Sequence, residues 1–394
     1  MLTNRTPSAR RGHALLVLSA VSLGLVACEP SPVTQQQSPT LSPRFATATL
    51  PPPTEQMATA TVTEAPISFP LSEKGPYFPG RRTYAFVDAD RGSREVEIDV
   101  WYPAYQPDGY KGTVADGAAP DPSGAPYPLI LSSSKVARIL APYLVSHGFA
   151  WASVNGIDTY PQMKEQMFDQ PLDIISALNH IASNPPESLE GMIDAEHTGA
   201  IGYSFDGYNT LALSVARIDP QHYLAQCPEP DSTTQAILSN LSAFNCGPAD
   251  EWDDFTMRAG EALTTSEDGL WQPMTDPRIR AVMPMAGEGW WLFGERGLAA
   301  VDRPALIIVA TEDALYPENA LIFEHLGTPA KTLISFIGPD HMMILDSKMV
   351  ARMAHFATAF FGYYLQGNED LKYYFSEDWV AQHPDLAWGT YPGQ

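Results

Sequence analysis

The segment Gly202-Tyr203-Ser204-Phe205-Asp206-Gly207 lies directly between an apolar run of strand character, residues 197–203, and a run of helical character that begins at Phe205. A strand that turns into a helix with no loop between them has room for small side chains only, and a serine at the tip of such a turn projects clear of the backbone. The usual form of this turn has glycine two residues before the serine and two after it. Gly202 meets the first condition. Asp206 stands at the second, and glycine follows one place later, at Gly207.

The rhythm around the turn sets the fold class. Residues 83–87 and 95–102 alternate apolar and polar side chains on either side of Asp88, Asp90 and Gly92, the pattern of an antiparallel hairpin. From there, apolar runs at 127–131, 149–154, 197–203, 279–285, 305–310 and 332–337 alternate with helical stretches at 136–145, 205–216 and 349–365. Leu172, Ile175, Leu178 and Ile181 mark one face of a further helix. Such alternation predicts an α/β domain with a mostly parallel central sheet and helices on both faces. Residues 219–276 break the rhythm with Pro, Ser, Asp and Glu, and an insertion of that length reads as a lid or rim over a site.

A serine hydroxyl is a weak nucleophile until a histidine takes its proton and an acid orients that histidine. In an α/β-hydrolase fold the order along the chain is serine, acid, histidine. The apolar run 305–310 ends in Thr311, Glu312 and Asp313, and an acid at the carboxyl end of a strand lies on the functional edge of such a sheet. Asp313 is the expected acid, with Glu312 turned to solvent. The run 332–337 leads into Gly338, Pro339, Asp340 and His341, which puts His341 at the same edge. Of the nine histidines it alone follows both Asp313 and a strand end; His325 and His355 fall in helices, where packing roles are expected.

Residues 75–102 with Val100-Trp101-Tyr102-Pro103, the run 193–213, and residues 309–317 together resemble the platelet-activating-factor acetylhydrolase and predicted dienelactone hydrolase-like branch of the α/β-hydrolases. The likeness spans most of residues 70–370, in matching order. It implies hydrolysis of esters with short or accessible acyl groups by a Ser204, Asp313, His341 triad, with no cofactor and no metal. True dienelactone hydrolases use a cysteine where this chain has Ser204. Relatives also show His and Gly after the first parallel strand, followed by a longer loop that donates a backbone N–H to the oxyanion. Here Ser132, Ser133, Ser134 and Lys135 take that place. One oxyanion donor is expected at the amide of Phe205, and the other within residues 133–136, with Ser134 and Lys135 the candidates. Trp290, Trp291 and Phe293 follow the run 279–285 and are expected either to wall an acyl pocket or to pack the core.

Residues 1–13 carry Arg5, Arg10 and Arg11 and no acid, and residues 14–26 are apolar, which together make a secretion signal too short to span a bilayer permanently. Leu25-Val26-Ala27-Cys28 resembles the lipobox of bacterial lipoproteins, in which the signal, residues 1–27, is removed and Cys28 is lipidated. Residues 28–69 are rich in Pro, Thr and Ser and form a tether to the hydrolase domain of residues 70–394. The expected location is the outer face of the bacterial cytoplasmic membrane or the periplasmic side of the outer membrane. In that oxidising setting Cys227 and Cys246, both in the insertion, suit a disulfide worth about 3 kcal/mol of loop entropy. Two free thiols are the alternative.

The formal net charge is −23 and becomes −26 when three arginines leave with the signal. Nucleic acid and anionic lipid are therefore excluded as partners by repulsion. The acidic cluster Asp250, Glu251, Asp253 and Asp254 lacks regular ligand spacing and reads as a solvated face. A monomeric serine carboxylic ester hydrolase, acting on a small or polymeric ester, is the expectation. A serine peptidase of the same fold, or a surface binding protein that kept the fold without turnover, are the alternatives. If Lys135 stands in for a missing oxyanion donor, Lys135→Ala is expected to lower kcat on p-nitrophenyl acetate, whereas an unchanged kcat removes that role.

Overall fold

The structure is a computed structural model and describes residues 68–157, 164–227 and 246–392. The signal, Cys28 and nearly all of the tether lie outside the described residues.

Strands β1 (Phe78–Asp88) and β2 (Arg94–Ala104) form the expected hairpin, paired without a slip from Phe78↔Ala104 to Asp88↔Arg94. Two hairpin arginines hold it to helix α2 (Gln166–Ser183): Arg91 and Arg94 each reach Asp173, at 2.6 and 2.7 Å, and both also pair with Asp169. After the two-residue β3 (Ala115–Asp116) come β4 (Tyr127–Ser133), α1 (Ser134–Ser146), β5 (Ala150–Val154), α2, β6 (Ile193–Tyr203) and α3 (Phe205–Leu213). The insertion contributes α4 (Pro220–Gln226) and α5 (Trp252–Ala259). There follow β7 (Ile279–Met285), α6 (Trp290–Leu298), β8 (Ala305–Ala310), α7 (Tyr316–His325), β9 (Lys331–Phe336), α8 (Ser347–Gln366) and β10 (Leu386–Trp388).

The ten strands make one sheet in the order β10-β9-β8-β7-β6-β4-β5-β2-β1-β3. From β9 to β5 every pairing is parallel; β2 runs antiparallel to β5 and β10 antiparallel to β9. All residues of β4, β5 and β8 are buried, as strands covered on both faces must be. The two covers show at β6. A Cβ on Gly199 would meet the Phe361 ring of α8 at 2.6 Å, whereas one on Gly202 would meet the Asp206 carbonyl of α3 at 2.0 Å. Those positions differ by an odd number, so α8 and α3 lie on opposite faces. The chain goes from β4 to β5 on one side, then crosses back to β6 on the other side of β4. This reversal opens a crevice at the carboxyl ends of β4 and β6, where ligands bind in sheets of this kind.

Several element bounds differ from the sequence expectation, β1 among them, which starts at Phe78 because its pairing with β2 runs on to Ala104. β6 begins at Ile193, because Ile193 and Asp194 pair with Tyr127 and Pro128 of β4; at the register shift that follows, Asp194 accepts from the amides of Glu196 and His197 and from the His197 ring. α3 stops at Leu213 because Val215 adopts a positive φ of 83°. In the insertion, a Cys227–Cys246 disulfide is present. Tyr223, Trp252, Phe255 and Trp271 pack as an aromatic cluster beside it, with ring centroids 5.4 to 5.9 Å apart. Asp250, Glu251, Asp253 and Asp254 are all exposed. Among the described residues no helix is long and apolar enough to cross a membrane.

His355, expected to pack, is wholly buried on α8 between the rings of Phe69 and Trp379, and its Nδ1 accepts from the Leu71 amide at 3.2 Å. Burial, followed by the charge of His383, pushes its pKa down to about 3. The unfolded chain, with an ordinary value near 6.5, binds the proton more readily, so stability falls as pH drops below about 6.5, by up to about 1.4 kcal/mol per unit. Urea midpoints at pH 7 and pH 4.5 are expected to show a smaller loss in His355→Gln than in the parent; equal losses would assign the acid sensitivity elsewhere.

Candidate active site

Ser204 occupies the one residue between β6 and α3, at φ 61° and ψ −126°. A side chain in that region is strained, and backbone bonds hold it there. The Ser204 amide donates to the Met285 carbonyl at the end of β7 at 3.0 Å, and the Gly207 amide donates to the Ser204 carbonyl at 2.8 Å. Gly202 is needed because the first turn of α3 lies where its Cβ would be.

The departure at Asp206 now has a physical reason. The position that must be small is Gly207, where an added Cβ would lie 2.6 Å from the Cα of Gly287 in the loop after β7. Asp206 instead turns its buried carboxylate to the end of β4. It accepts from the Ser133 amide at 3.1 and 3.3 Å and from Asn209 Nδ2 at 3.2 Å. An acid in the first turn of α3 also matches the helix dipole. Asp206 thus clamps the β4–α1 junction to the serine turn.

Asp313 and His341 arrive at the same edge. Asp313 is buried in the turn after β8, while its neighbour Glu312 is exposed. One Asp313 oxygen accepts from the Leu315 amide at 2.9 Å, and the other lies 2.8 Å from His341 Nδ1. His341 Nε2 lies 3.1 Å from Ser204 Oγ. With Nδ1–H donating to the carboxylate, Nε2 is left to accept the serine proton. Asp340 starts the short turn of His341–Leu345 by accepting from the Met342 amide at 2.8 Å. Tyr203, which no sequence pattern marked, donates its hydroxyl to the His341 carbonyl at 2.6 Å and sets its ring 5.3 Å from the imidazole. Burial alone would lower the His341 pKa, but the hydrogen bond to Asp313 and the charges of Asp313, Glu288 and Asp340 outweigh it, and the net shift is upward.

The β4–α1 junction contains no loop: β4 ends at Ser133 and α1 begins at Ser134. The Ser133 amide is taken by Asp206, and Ser134, Lys135 and Val136, the rest of the expected oxyanion segment, form the first turn of α1. Ser133, Lys135, Tyr203, Phe205 and Asp206 line one recess beside Ser204, with Lys135 exposed at its edge. The aromatic residues after β7 split. Phe293 and Trp291 are buried, and stack on Tyr208 of α3 with centroids 5.3 and 6.4 Å away, so they are packing under the serine helix and not an open pocket wall. Only Trp290 is partly exposed, against His325 at 5.0 Å. Among the described residues no three His, Cys, Asp or Glu side chains group as a metal site.

Comparison with known proteins finds no family model that matches the chain and no curated protein similar to it.

If Asp206 is a clamp, restoring glycine there removes an acceptor from the buried Ser133 amide, which costs about 1–3 kcal/mol. Asp206→Gly is therefore expected to lower the urea midpoint even though it recreates the usual motif; an unchanged or higher midpoint would deny the clamp.

Proposed function

We propose that this chain is a serine hydrolase of the α/β-hydrolase fold that cleaves carboxylic esters with short or accessible acyl groups. We place it in the acetylhydrolase and dienelactone hydrolase-like branch, exported and anchored through Cys28. The observation that carries the reading is the line Ser204 Oγ, His341 Nε2, His341 Nδ1, Asp313 Oδ2, with gaps of 3.1 and 2.8 Å, set on a strained strand-to-helix turn.

In the proposed reaction Ser204 Oγ attacks the ester carbonyl carbon while its proton passes to His341 Nε2. The carbonyl oxygen gains the negative charge. Facing it are the Phe205 amide, at the positive end of α3, and an amide from the first turn of α1. Collapse breaks the bond to the alkoxy oxygen, which leaves as the alcohol with the His341 proton. Water then attacks the acyl-enzyme, His341 takes its proton, and release of the carboxylic acid returns that proton to Ser204. Asp313 stays ionised throughout, holding the tautomer and stabilising the imidazolium. The resemblance described for residues 75–102, 193–213 and 309–317 supports esters over amides.

The test is turnover of p-nitrophenyl acetate and longer acyl esters, of aminoacyl anilides, and labelling by a fluorophosphonate. Ester turnover and labelling, both lost in Ser204→Ala with a kcat reduction on the order of 10⁴-fold or more, are the expected results. Anilide cleavage in preference to ester would make the chain a peptidase, and absence of labelling would make it a binding protein. Because the His341 pKa is raised, its base form is lost on the acid side at a higher pH than for an ordinary histidine. The acid limb of kcat/KM should have its midpoint at or above about 6.5; a rate flat down to pH 4 removes His341 as the base.

A further inference from the structure

The loop that follows β7, Ala286-Gly287-Glu288-Gly289, is tied down through the backbone on either side of Glu288. The Ala286 amide donates to Ile308 at 2.7 Å, and Asn319 of α7 pairs with both the amide and the carbonyl of Gly287 at 3.1 and 2.9 Å. Glu318, also on α7, accepts from the amides of Gly289 and Trp290 at 2.8 and 2.9 Å through one oxygen. On its other side, Gly287 packs against Gly207 of α3. Glu288 sits in the middle of this clamp. The residue is 6% exposed, and one of its carboxyl oxygens is buried with no hydrogen-bond partner.

A buried carboxyl with an unpaired oxygen is costly and calls for a reason. Packing does not supply one, since methionine would fill the space without the desolvation cost. The electrostatic surroundings do. The charge of Glu288 bears on His341 and Asp313. Around these groups stand Glu318 on α7, Asp340 before the imidazole, and Tyr203 on β6, whose burial pushes its phenol up so that it stays neutral. His341 is the only group in this set that can carry positive charge.

We propose that Glu288, whose buried and unpartnered carboxyl oxygen lies in the loop tied between the serine turn and β8 at the sheet edge of Ser204 and Asp313, is a positioning residue for the triad, a second carboxyl that acts on His341 from outside the Ser204–His341–Asp313 line. The inference rests on the reading of His341 as the base. Burial raises Glu288 to about 7, against an opposing pull from His341, while burial and the Glu288 charge raise Glu318 to about 8. Burial and the Glu288 charge thus draw Glu318 toward its neutral form, while His341 draws Glu288 toward ionisation against its burial. By reciprocity, ionisation of Glu288 and protonation of His341 favour one another, and the two titrate as a coupled pair. Two carboxylates then face the imidazolium at the moment it forms, and fewer face the neutral ring.

The experiment follows the imidazole ¹⁵N shifts of the full chain from pH 5 to pH 9, with the His341 signal assigned from its loss in His341→Gln. In Glu288→Gln the His341 midpoint is expected to fall by about half a pH unit or more, roughly a three-fold loss of proton affinity. The acid limb of kcat/KM should move to lower pH by the same amount, a readout that a merely structural role would not shift. An unmoved midpoint in a folded Glu288→Gln protein overturns the proposal. Should that variant fail to fold, the ¹³C carboxyl signal of Glu288 in the parent decides: an inflection at the His341 midpoint supports the coupling, and simple titration below pH 5 overturns it. A lowered midpoint in a protein without ester turnover would leave the coupling standing and retire the hydrolase reading. Turnover with an unmoved midpoint would do the reverse.

Discussion

A positive φ at a residue with a side chain costs about 1–3 kcal/mol, and Ser204 carries it at φ 61°. That strain persists only because β6, α3 and the end of β7 are pressed together with glycine on both sides of the contact, at Gly202 and at Gly207 against Gly287. The rest of the site follows from that approach. With α3 close to β7, the Ser204 amide reaches the Met285 carbonyl, the serine side chain is forced outward, and Asp206 is brought within reach of Ser133. A larger residue at Gly202 or Gly207 would push α3 away and let the serine relax into ordinary helix or strand geometry.

Charge is concentrated at this edge in a way that composition does not show. The chain is strongly acidic overall, yet the carboxyls that matter at this edge are the few removed from water: Asp313, Glu288, Glu318 and Asp206. Each has a different answer to its burial. Asp206 takes the Ser133 amide and the Asn209 side chain, and Asp313 takes the Leu315 amide and the imidazole. Glu318 takes two loop amides and is pushed toward its neutral form. Glu288 has no comparable set, which is why its charge state is tied to that of His341. In a medium of low dielectric such differences separate groups that would titrate together in water.

The sheet and the three residues of the triad were legible in sequence for a local reason: each lies at the end of a continuous apolar strand, and strand ends can be read from one segment at a time. The choice of Asp313 over Glu312 has the same origin, since neighbouring residues in a turn face opposite ways, one buried and one exposed. What was not legible depends on partners distant in the chain. Asp206 read as a flaw in the motif because its acceptor role requires Ser133, a residue 73 positions away. Tyr203 holds the His341 carbonyl across 138 positions. Trp291 and Phe293 read as pocket wall or packing alike, because aromatic side chains after a strand suit either, and only the seating of α3 above them decides. The early end of α3 lies in the backbone of Val215, a β-branched residue from which no reader would expect a positive φ.

The precision of the triad comes from the sheet continuing past its own strands. Ser204 bonds to Met285, Ala286 to Ile308, Thr311 to Phe336, and Glu312 to Pro339, each through a backbone amide just beyond the end of its own strand. These bonds chain the serine turn, the Glu288 loop, the Asp313 turn and the His341 loop into one extended ladder. Four loops that would each carry independent motion instead inherit the register of β6, β7, β8 and β9. Hydrogen-bond geometry of about 3 Å between side chains from separate loops survives only under such constraint, because a shift of 1 Å in one member is enough to break a relay of this kind. Side-chain clamps share this work with the backbone, Asp206 at the serine turn and Glu318 with Asn319 at the loop after β7, and it is in a loop held in both ways that a carboxyl as costly as Glu288 is kept.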